Sequence, residues 1–385
     1  MAQYCRLLPM QSRGQDNPYQ QNTQLDFMLN VPSDKEILYN SFQLGFTLLV
    51  NGVALDPTSR IYLNQYSGYH SLIDSIQTLV DDVSVETIQT YPRFVACQNF
   101  LNNSDVNMQF ELSKNSAGLC ANNILSQRQL LGINYPPSVA PLGYTKGDVP
   151  CDLKLNFCLN KSYNGQMQPA NISGGKKIHI IVRLNSAVRA LWGDDVNSTT
   201  SYTLNNVVLQ WVQEPKTQSA EVVLQTVNMV KNPIPSGSVN ISVNTPSLTN
   251  KWMMSFSANL DEITPTMDYY RLSTLPSLSR VDLLVNDMYS NNKYPLTLGY
   301  QAASEVVETS MMALSANPEN ASSWFKYFND RSGSLVSQGR GLILGSVFPA
   351  FAPPNTRVSA NLICSFDSTV STWFAYTYLF CLQKL

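Results

Sequence analysis

The chain has 385 residues, 25 Lys and Arg against 27 Asp and Glu, a formal charge of -2 and only 14% charged residues. Neutral polar groups must therefore cover most of its surface, and with no positive field it is a poor candidate for gripping a nucleic-acid backbone through counterion release. Apolar residues make up 44%, and the length suits about two domains of roughly 150 to 200 residues, each able to bury its own core.

No stretch reaches the roughly 18 to 20 apolar residues of a membrane helix, and the opening MAQYCRLLPMQSRGQDNPYQQ lacks the apolar core of a secretory signal. Synthesis in a soluble, reducing compartment is the expectation. The 7 cysteines, Cys5, Cys97, Cys120, Cys151, Cys158, Cys364 and Cys381, are odd in number and irregularly spaced; buried thiols fit them better than disulfide staples. Asn-X-Ser/Thr triplets begin at Asn102, Asn160, Asn171, Asn197, Asn240 and Asn320. With no secretory signal they read as unglycosylated.

The first 23 residues, rich in Gln, Asn, Pro and Arg and without periodicity, read as a flexible arm. Short runs of alternating apolar and polar residues then recur to the end, the mark of strands with one face on a core. They cover Gln24 to Val31, Phe42 to Val50, Leu72 to Val80, Leu153 to Leu159, Lys177 to Leu184, Leu204 to Val212, Val222 to Met229, Ser238 to Val243, Met253 to Ala258, Ser279 to Val285, Gly341 to Phe348, Val358 to Phe366 and Thr372 to Leu382. Helical periodicity is confined to Pro92 to Leu101, Ala187 to Trp192 and Ala302 to Leu314, the first with proline suitably placed in its first turn. Many short strands without crossover helices indicate antiparallel sandwiches or barrels.

Ser71 to Asp82, followed by Tyr91-Pro92 and a helix, has a loose counterpart in Ser277 to Asp287, followed by Tyr294-Pro295 and a helix. Both read as strand, acidic turn, short strand, helix. The chain thus divides into residues 24 to 214 and 221 to 385, joined at the polar, proline-containing segment 215 to 220. Ser113 to Pro150 is a long non-periodic stretch whose Leu119, Ile124, Leu130, Leu131, Ile133, Tyr135 and Tyr144 argue against disorder. It reads as an ordered excursion, with a neighbouring subunit as one candidate for what it packs on. Asn317 to Ser337 is its shorter equivalent.

Chemistry is sparse. His70 and His179 are the only histidines, so one of them would have to be the base of any Ser-His-Asp or Cys-His arrangement. His179 lies between Ile178 and Ile180 in an alternating strand, and His70 leads into one; both read as structural. No Cys-x-x-Cys, His-x-x-x-His or calcium-loop spacing occurs, and Asp81-Asp82 and Asp194-Asp195 suit turns and caps. Gly174-Gly175 and Gly339-Arg-Gly341 precede strands and do not match phosphate-binding loops. Alternation splits Lys176, Lys177, Arg183 and Arg189 between strand faces, as solvated edge charges would be. No catalytic, cofactor-binding or metal-binding residue is assigned. The 19 Tyr and 15 Phe beside so few charges suit a chain that works by making contacts.

Gly68-Tyr-His-Ser-Leu-Ile-Asp-Ser-Ile-Gln-Thr78, continuing through Val85-Glu-Thr-Ile-Gln-Thr-Tyr91, resembles the stretch of double jelly-roll major capsid proteins that leads into strand D, a glutamate-containing strand E and a tyrosine-started helix. Ile172 to Leu184 is similar to the late strand of that family's first jelly roll, and Asn205 to Val212 to its closing strand. The second half is compatible through Val285-Asn-Asp287, Tyr294-Pro295 and the strand at Val358. The resemblance, to the adenovirus-tectivirus lineage of icosahedral DNA viruses, implies an all-β fold of two consecutive eight-stranded antiparallel jelly rolls with a few short helices in loops. It also implies a homotrimeric, pseudo-hexagonal capsomer in a virion, with neighbouring capsomers, penton or minor capsid proteins as partners and an internal membrane as a possible contact of the arm around Cys5 to Arg13. It implies neither enzymatic activity nor specific nucleic-acid binding. Two other readings stay open: a β-sandwich receptor- or glycan-binding protein, and a carbohydrate-active enzyme, which would need paired carboxylates across a cleft.

Overall fold

A computed structural model describes residues 2–11, 18–51, 63–64, 67–102, 149–193, 196–217, 221–258, 269–270, 272, 275, 280–289, 296–297, 310, 314, 343–367, 369 and 372–385. The first half runs β1 (Gln3–Leu7), β2 (Tyr19–Gln20), β3 (Gln24–Asn30), β4 (Lys35–Ile37), β5 (Gln43–Asn51), a 3-10 turn at Gly68–Leu72, β6 (Ile73–Val80), β7 (Val83–Ile88) and helix α1 (Tyr91–Asn102). It continues through β8 (Val149–Lys154), a 3-10 turn at Cys158–Asn160, β9 (Ser162–Tyr163), β10 (Ile172–Ser173), β11 (Lys177–Leu184), the short helix α2 (Ala187–Ala190) and β12 (Ser201–Pro215). The second half contains β13 (Val223–Ile234), β14 (Gly237–Asn244), β15 (Thr249–Ala258), β16 (Arg280–Val285), β17 (Met288–Tyr289), β18 (Leu296–Thr297), β19 (Ile343–Ala352), β20 (Arg357–Cys364) and β21 (Trp373–Lys384).

All the sheet pairings are antiparallel, and the halves have the same strand order. In the first, β12 pairs with β1 and β5, and β5 with β8, facing a second sheet ordered β3-β11-β6-β7. In the second, β13-β21-β15-β19 faces β14-β20-β16-β17. With the eight main strands lettered B to I, each half forms one sheet in the order B-I-D-G and another in the order C-H-E-F. This is a jelly roll, formed twice.

The alternation read from the sequence places the core. In β11, Ile178, Ile180, Val182 and Leu184 are buried while Lys177, His179, Ile181 and Arg183 face outward to varying degrees. β21 departs from alternation: Ala375 to Cys381 are buried without interruption, because one face meets its own roll and the other meets the first roll. One apolar cluster runs through both halves.

The expectations at the N-terminus need correction. Gln3 to Leu7, assigned to a flexible arm, pair with Gln213 to Leu209, and Tyr19 and Gln20 pair with Leu204 and Thr203. β1 is an edge strand with an exposed, weakly apolar sequence, so it gave no periodic signal. Because it is strand B, the segments likened to strands D and E are strands E and F, one letter later.

The strand expected over Leu153 to Leu159 is β8, which ends at Lys154. There the chain peels away: the Asn160 side chain donates to the carbonyls of Phe42 and Leu155, and its oxygen accepts the Phe42 N–H. α2 stops at Ala190, short of Trp192. β12 runs through Pro215, the first residue of the expected linker. Residues 103–148 and 315–342 lie outside the described residues, and with them most of the long excursion and its shorter equivalent. The same holds for most of the expected helix at 302–314, of which Ser310 and Leu314 are described as helical and buried.

Antiparallel pairing gives each roll two unlike ends. One carries the short links 81–82, 245–248, 286–287 and 353–356, together with 31–42 and 155–176. At the other, the long-link end, β5, β7, β15 and β17 finish and β6, β8, β16 and β19 begin. At the short-link end the chain at Gly174 approaches so closely that a Cβ there would lie 2.0 Å from the Pro32 carbonyl oxygen. Gly175 follows with a φ of 89°. The pair makes a tight turn that a side chain at either position would strain.

Candidate functional site: the seam between the rolls

The residues singled out by sequence are scattered. His70 is buried and its Nδ1 lies 2.9 Å from the Tyr91 hydroxyl, which also accepts the Asn156 N–H at 2.8 Å. Burial pushes this imidazole down to about 3, so it is neutral near pH 7. His179 sits on β11 with Nε2 3.3 Å from Asp26 on the neighbouring strand. Asp81 accepts the Lys177 N–H at 3.0 Å and Asp82 pairs with the Lys177 ammonium at 2.8 Å, the turn and capping role expected of them. Asp194-Asp195 and Gly339 to Gly341 lie outside the described residues.

The basic residues do not form one patch. Arg189 lies over the Tyr269 ring at 5.0 Å, while Lys177 serves the turn on another part of the first roll. Cys97, Cys151, Cys158, Cys364 and Cys381 are buried, Cys5 is half-buried, and all six are free thiols. Among the triplet asparagines, Asn160 and Asn171 spend their side chains on internal hydrogen bonds. Among the described residues, no group of three His, Cys, Asp or Glu side chains could hold a metal ion, and no helix is long and apolar enough to cross a membrane.

The concentrated chemistry lies instead where the rolls meet, on β7 and α1. β9 and the residue before it reach the B strand of the second roll: β9 pairs Ser162 and Tyr163 with Leu224 and Val223, and the Lys161 carbonyl takes the Gln225 N–H at 2.9 Å. The next outward N–H of that edge strand belongs to Val227. It finds Oε1 of Glu86 at 2.9 Å, while Oε2 of the same carboxylate accepts the Cys158 N–H at 2.8 Å. One carboxylate thus satisfies an otherwise orphaned edge amide of the second roll and the first amide of a 3-10 turn in the first.

Glu86 is 4% exposed. Burial pushes its carboxyl up to about 7, against the opposing pull of the two N–H groups and of Lys161. Lys161 is half-buried, and the loss of water around it lowers its ammonium to about 8. It also lies 5.0 Å from the Phe94 ring centre.

Helix α1 supplies the second grip. Arg93, fully buried, crosses into the second roll, donating to the Tyr269 carbonyl at 2.7 Å and the Phe256 carbonyl at 3.4 Å, with its guanidinium 4.6 Å over the Tyr376 ring. Phe94 packs on Tyr378 and Phe380 with ring centres 5.6 and 6.0 Å apart. Such aromatic pairs contribute about 0.5 to 1.5 kcal/mol each beyond area burial. At the long-link end, Asn185 donates to the Tyr270 hydroxyl across the same seam. The contacts at Gln225 and at Tyr269 and Tyr270 join like ends, so the rolls stand side by side the same way up.

Sequence reasoning gave no role to Glu86, Arg93 or Lys161 of this seam. A signal was present in β7. Simple alternation through Val83-Ser-Val-Glu-Thr-Ile88 would turn Val83 and Val85 inward and Glu86 outward. In the structure Val83 is exposed and Glu86 and Ile88 are buried. The ladder pairs Leu79 with Ser84 but Thr78 with Glu86, leaving Val85 as the extra residue of a bulge that re-aims the glutamate. A local conflict of this kind marks a special position.

No family model and no curated protein sequence matches the chain. Solved structures do match, over its whole length. PBCV-1 VP54, fitted into a reconstruction of the virophage Sputnik, aligns with a TM-score of 0.58 at 8% identity, covering 100% of this chain and 94% of the other. The Faustovirus major capsid protein aligns at 0.52 and 8% identity, covering 100% and 90%. The mavirus major capsid protein aligns at 0.51 and 10% identity, covering 99% and 87%. The chain has the double jelly-roll fold found among viral major capsid proteins.

Proposed function

We propose that this chain is the major capsid protein of an icosahedral DNA virus, a structural subunit without catalytic activity that works in the virion. Three copies form a pseudo-hexagonal capsomer, and capsomers tile the shell. The observation that carries this reading is that each half holds the full eight-strand order and the halves stand side by side the same way up. A three-fold arrangement of such subunits presents six similar rolls, so a trimer can occupy a six-sided position in a closed shell through repeated heterologous contacts.

Other features fit. Strand β19 is the far edge of its sheet and exposes Val347 and Phe351, at 44% and 42%; an apolar strand edge of this kind is what a neighbouring subunit covers. The partners in this reading are neighbouring capsomers and the penton or minor capsid proteins that close the shell, with an inner membrane as a further contact at the N-terminal segment. The net charge of -2 leaves genome binding to other components.

The test is the mass of the purified protein in solution with negative-stain imaging. Particles of about three times 42.9 kDa with a six-sided outline are expected. A stable monomer that binds glycans or turns over a substrate would overturn the reading.

A further inference from the structure

The seam holds one carboxylate shared between the rolls, with titratable groups of both rolls around it. Glu86 faces the Cys158 thiol and Lys161 from the 3-10 turn and the residue after it, and the Tyr91 hydroxyl at the start of α1. Lys251 on β15 faces Lys161 from the second roll. Its ammonium lies 4.6 Å over the Phe380 ring and 3.5 Å from the Leu314 carbonyl oxygen. The chain accepts a bulge and an exposed Val83 to bring this carboxylate in, where an apolar side chain would satisfy alternation without one.

We propose that Glu86 makes the seam a proton-sensitive joint between the two rolls, held more firmly when the carboxyl carries a proton than when its charge is buried. The joint belongs to the single subunit, so it stands or falls independently of assembly.

The sign follows from burial. A carboxyl raised from 4.5 to about 7 binds its proton more tightly in the folded chain than in the unfolded one. Its contribution to stability is fully present below 4.5 and is lost as the pH rises through about 7. His70 works in the opposite direction: held neutral down to about 3, it costs stability as the pH falls below 6.5. A difference between two proteins that both retain His70 removes that contribution.

The experiment compares the folding constant of the wild-type protein with that of Glu86→Gln between pH 4.5 and 8, by denaturant unfolding at fixed salt. The wild type should lose up to about tenfold more per pH unit than the variant across the window from 4.5 to 7. Hydrogen exchange at the Cys158 and Val227 amides, corrected for intrinsic rate, should show the same difference. Parallel profiles for the two proteins would overturn the proposal. Lys161→Met provides the second reading, and it decides the matter if Glu86→Gln does not fold. Removing the nearby cation should move the midpoint of the transition to higher pH, and an unmoved midpoint would assign the proton to another group.

Discussion

In the first roll, Asp81 and Asp82 turn β6 into β7 with φ of 49° and 65°; in the second, Asn286 and Asp287 turn β16 into β17 with φ of 48° and 64°. The likeness extends to their partners. Asp81 exchanges hydrogen bonds with the backbone of Lys177 at the start of β11, and Asn286 does the same with Arg357 at the start of β20. Asp82 and Asp287 then pair with the side chains of those same two residues.

A two-residue link with both φ values positive admits few residue types, chiefly Asn, Asp and Gly, so the short-link end of both rolls has kept its chemistry. Among the described residues, the side chains that hold backbone groups across the seam belong to the first roll. Glu86 and Arg93 lie on β7 and α1 of the first roll and grip the backbone of the second. Repetition follows where local geometry dictates the residue; asymmetry follows where two copies of one fold must bind each other.

The comparison can be broken most severely through the core. Trp211, on the closing strand of the first roll, is 6% exposed and stacks on Phe42 with ring centres 6.2 Å apart. Trp211→Asp buries an unpaired charge and should abolish folding or assembly; soluble, correctly assembled mutant particles would refute the strand assignment.

Next in size, Arg93→Met leaves the Tyr269 and Phe256 carbonyls without this donor and should cost about 3 kcal/mol. Urea unfolding should then separate into two phases, because the seam weakens before either roll does. A single transition at the wild-type midpoint would show that the arginine does not couple the rolls.

Asp81→Ala and Asn286→Ala test the turns, and each should cost about 1 to 2 kcal/mol through left-handed strain and the lost backbone bond. The glycine variants should cost less. Strongly unequal values for the two alanine variants would refute the equivalence of the hairpins. Smallest of all is Lys177→Ala, whose ion pair with Asp82 is exposed and should contribute no more than about 1 kcal/mol, fading as salt is added.

Strands such as β11 and β20 were legible because alternation and burial agree along them. β1 was not, because an edge strand with an exposed, mixed sequence carries no period and is defined only by β12 beside it. The repeated turn could be read from Asp81-Asp82 and Asn286-Asp287 because its residues answer to local backbone geometry. Glu86 was misleading for the opposite reason: a one-residue bulge reverses the faces of β7, and what requires it is an otherwise unpaired amide at Val227, 141 positions further along the chain.

By itself, then, the sequence determined an all-β chain in two similar halves with little charge and no assigned catalytic group, because those properties depend on composition and short-range pattern. Only the tertiary structure decided that β1 completes the first roll, that the rolls stand the same way up, and that a buried glutamate and arginine join them. Those facts depend on which backbone groups of one roll are left unsatisfied against the other, and short-range pattern does not record such long-range pairings.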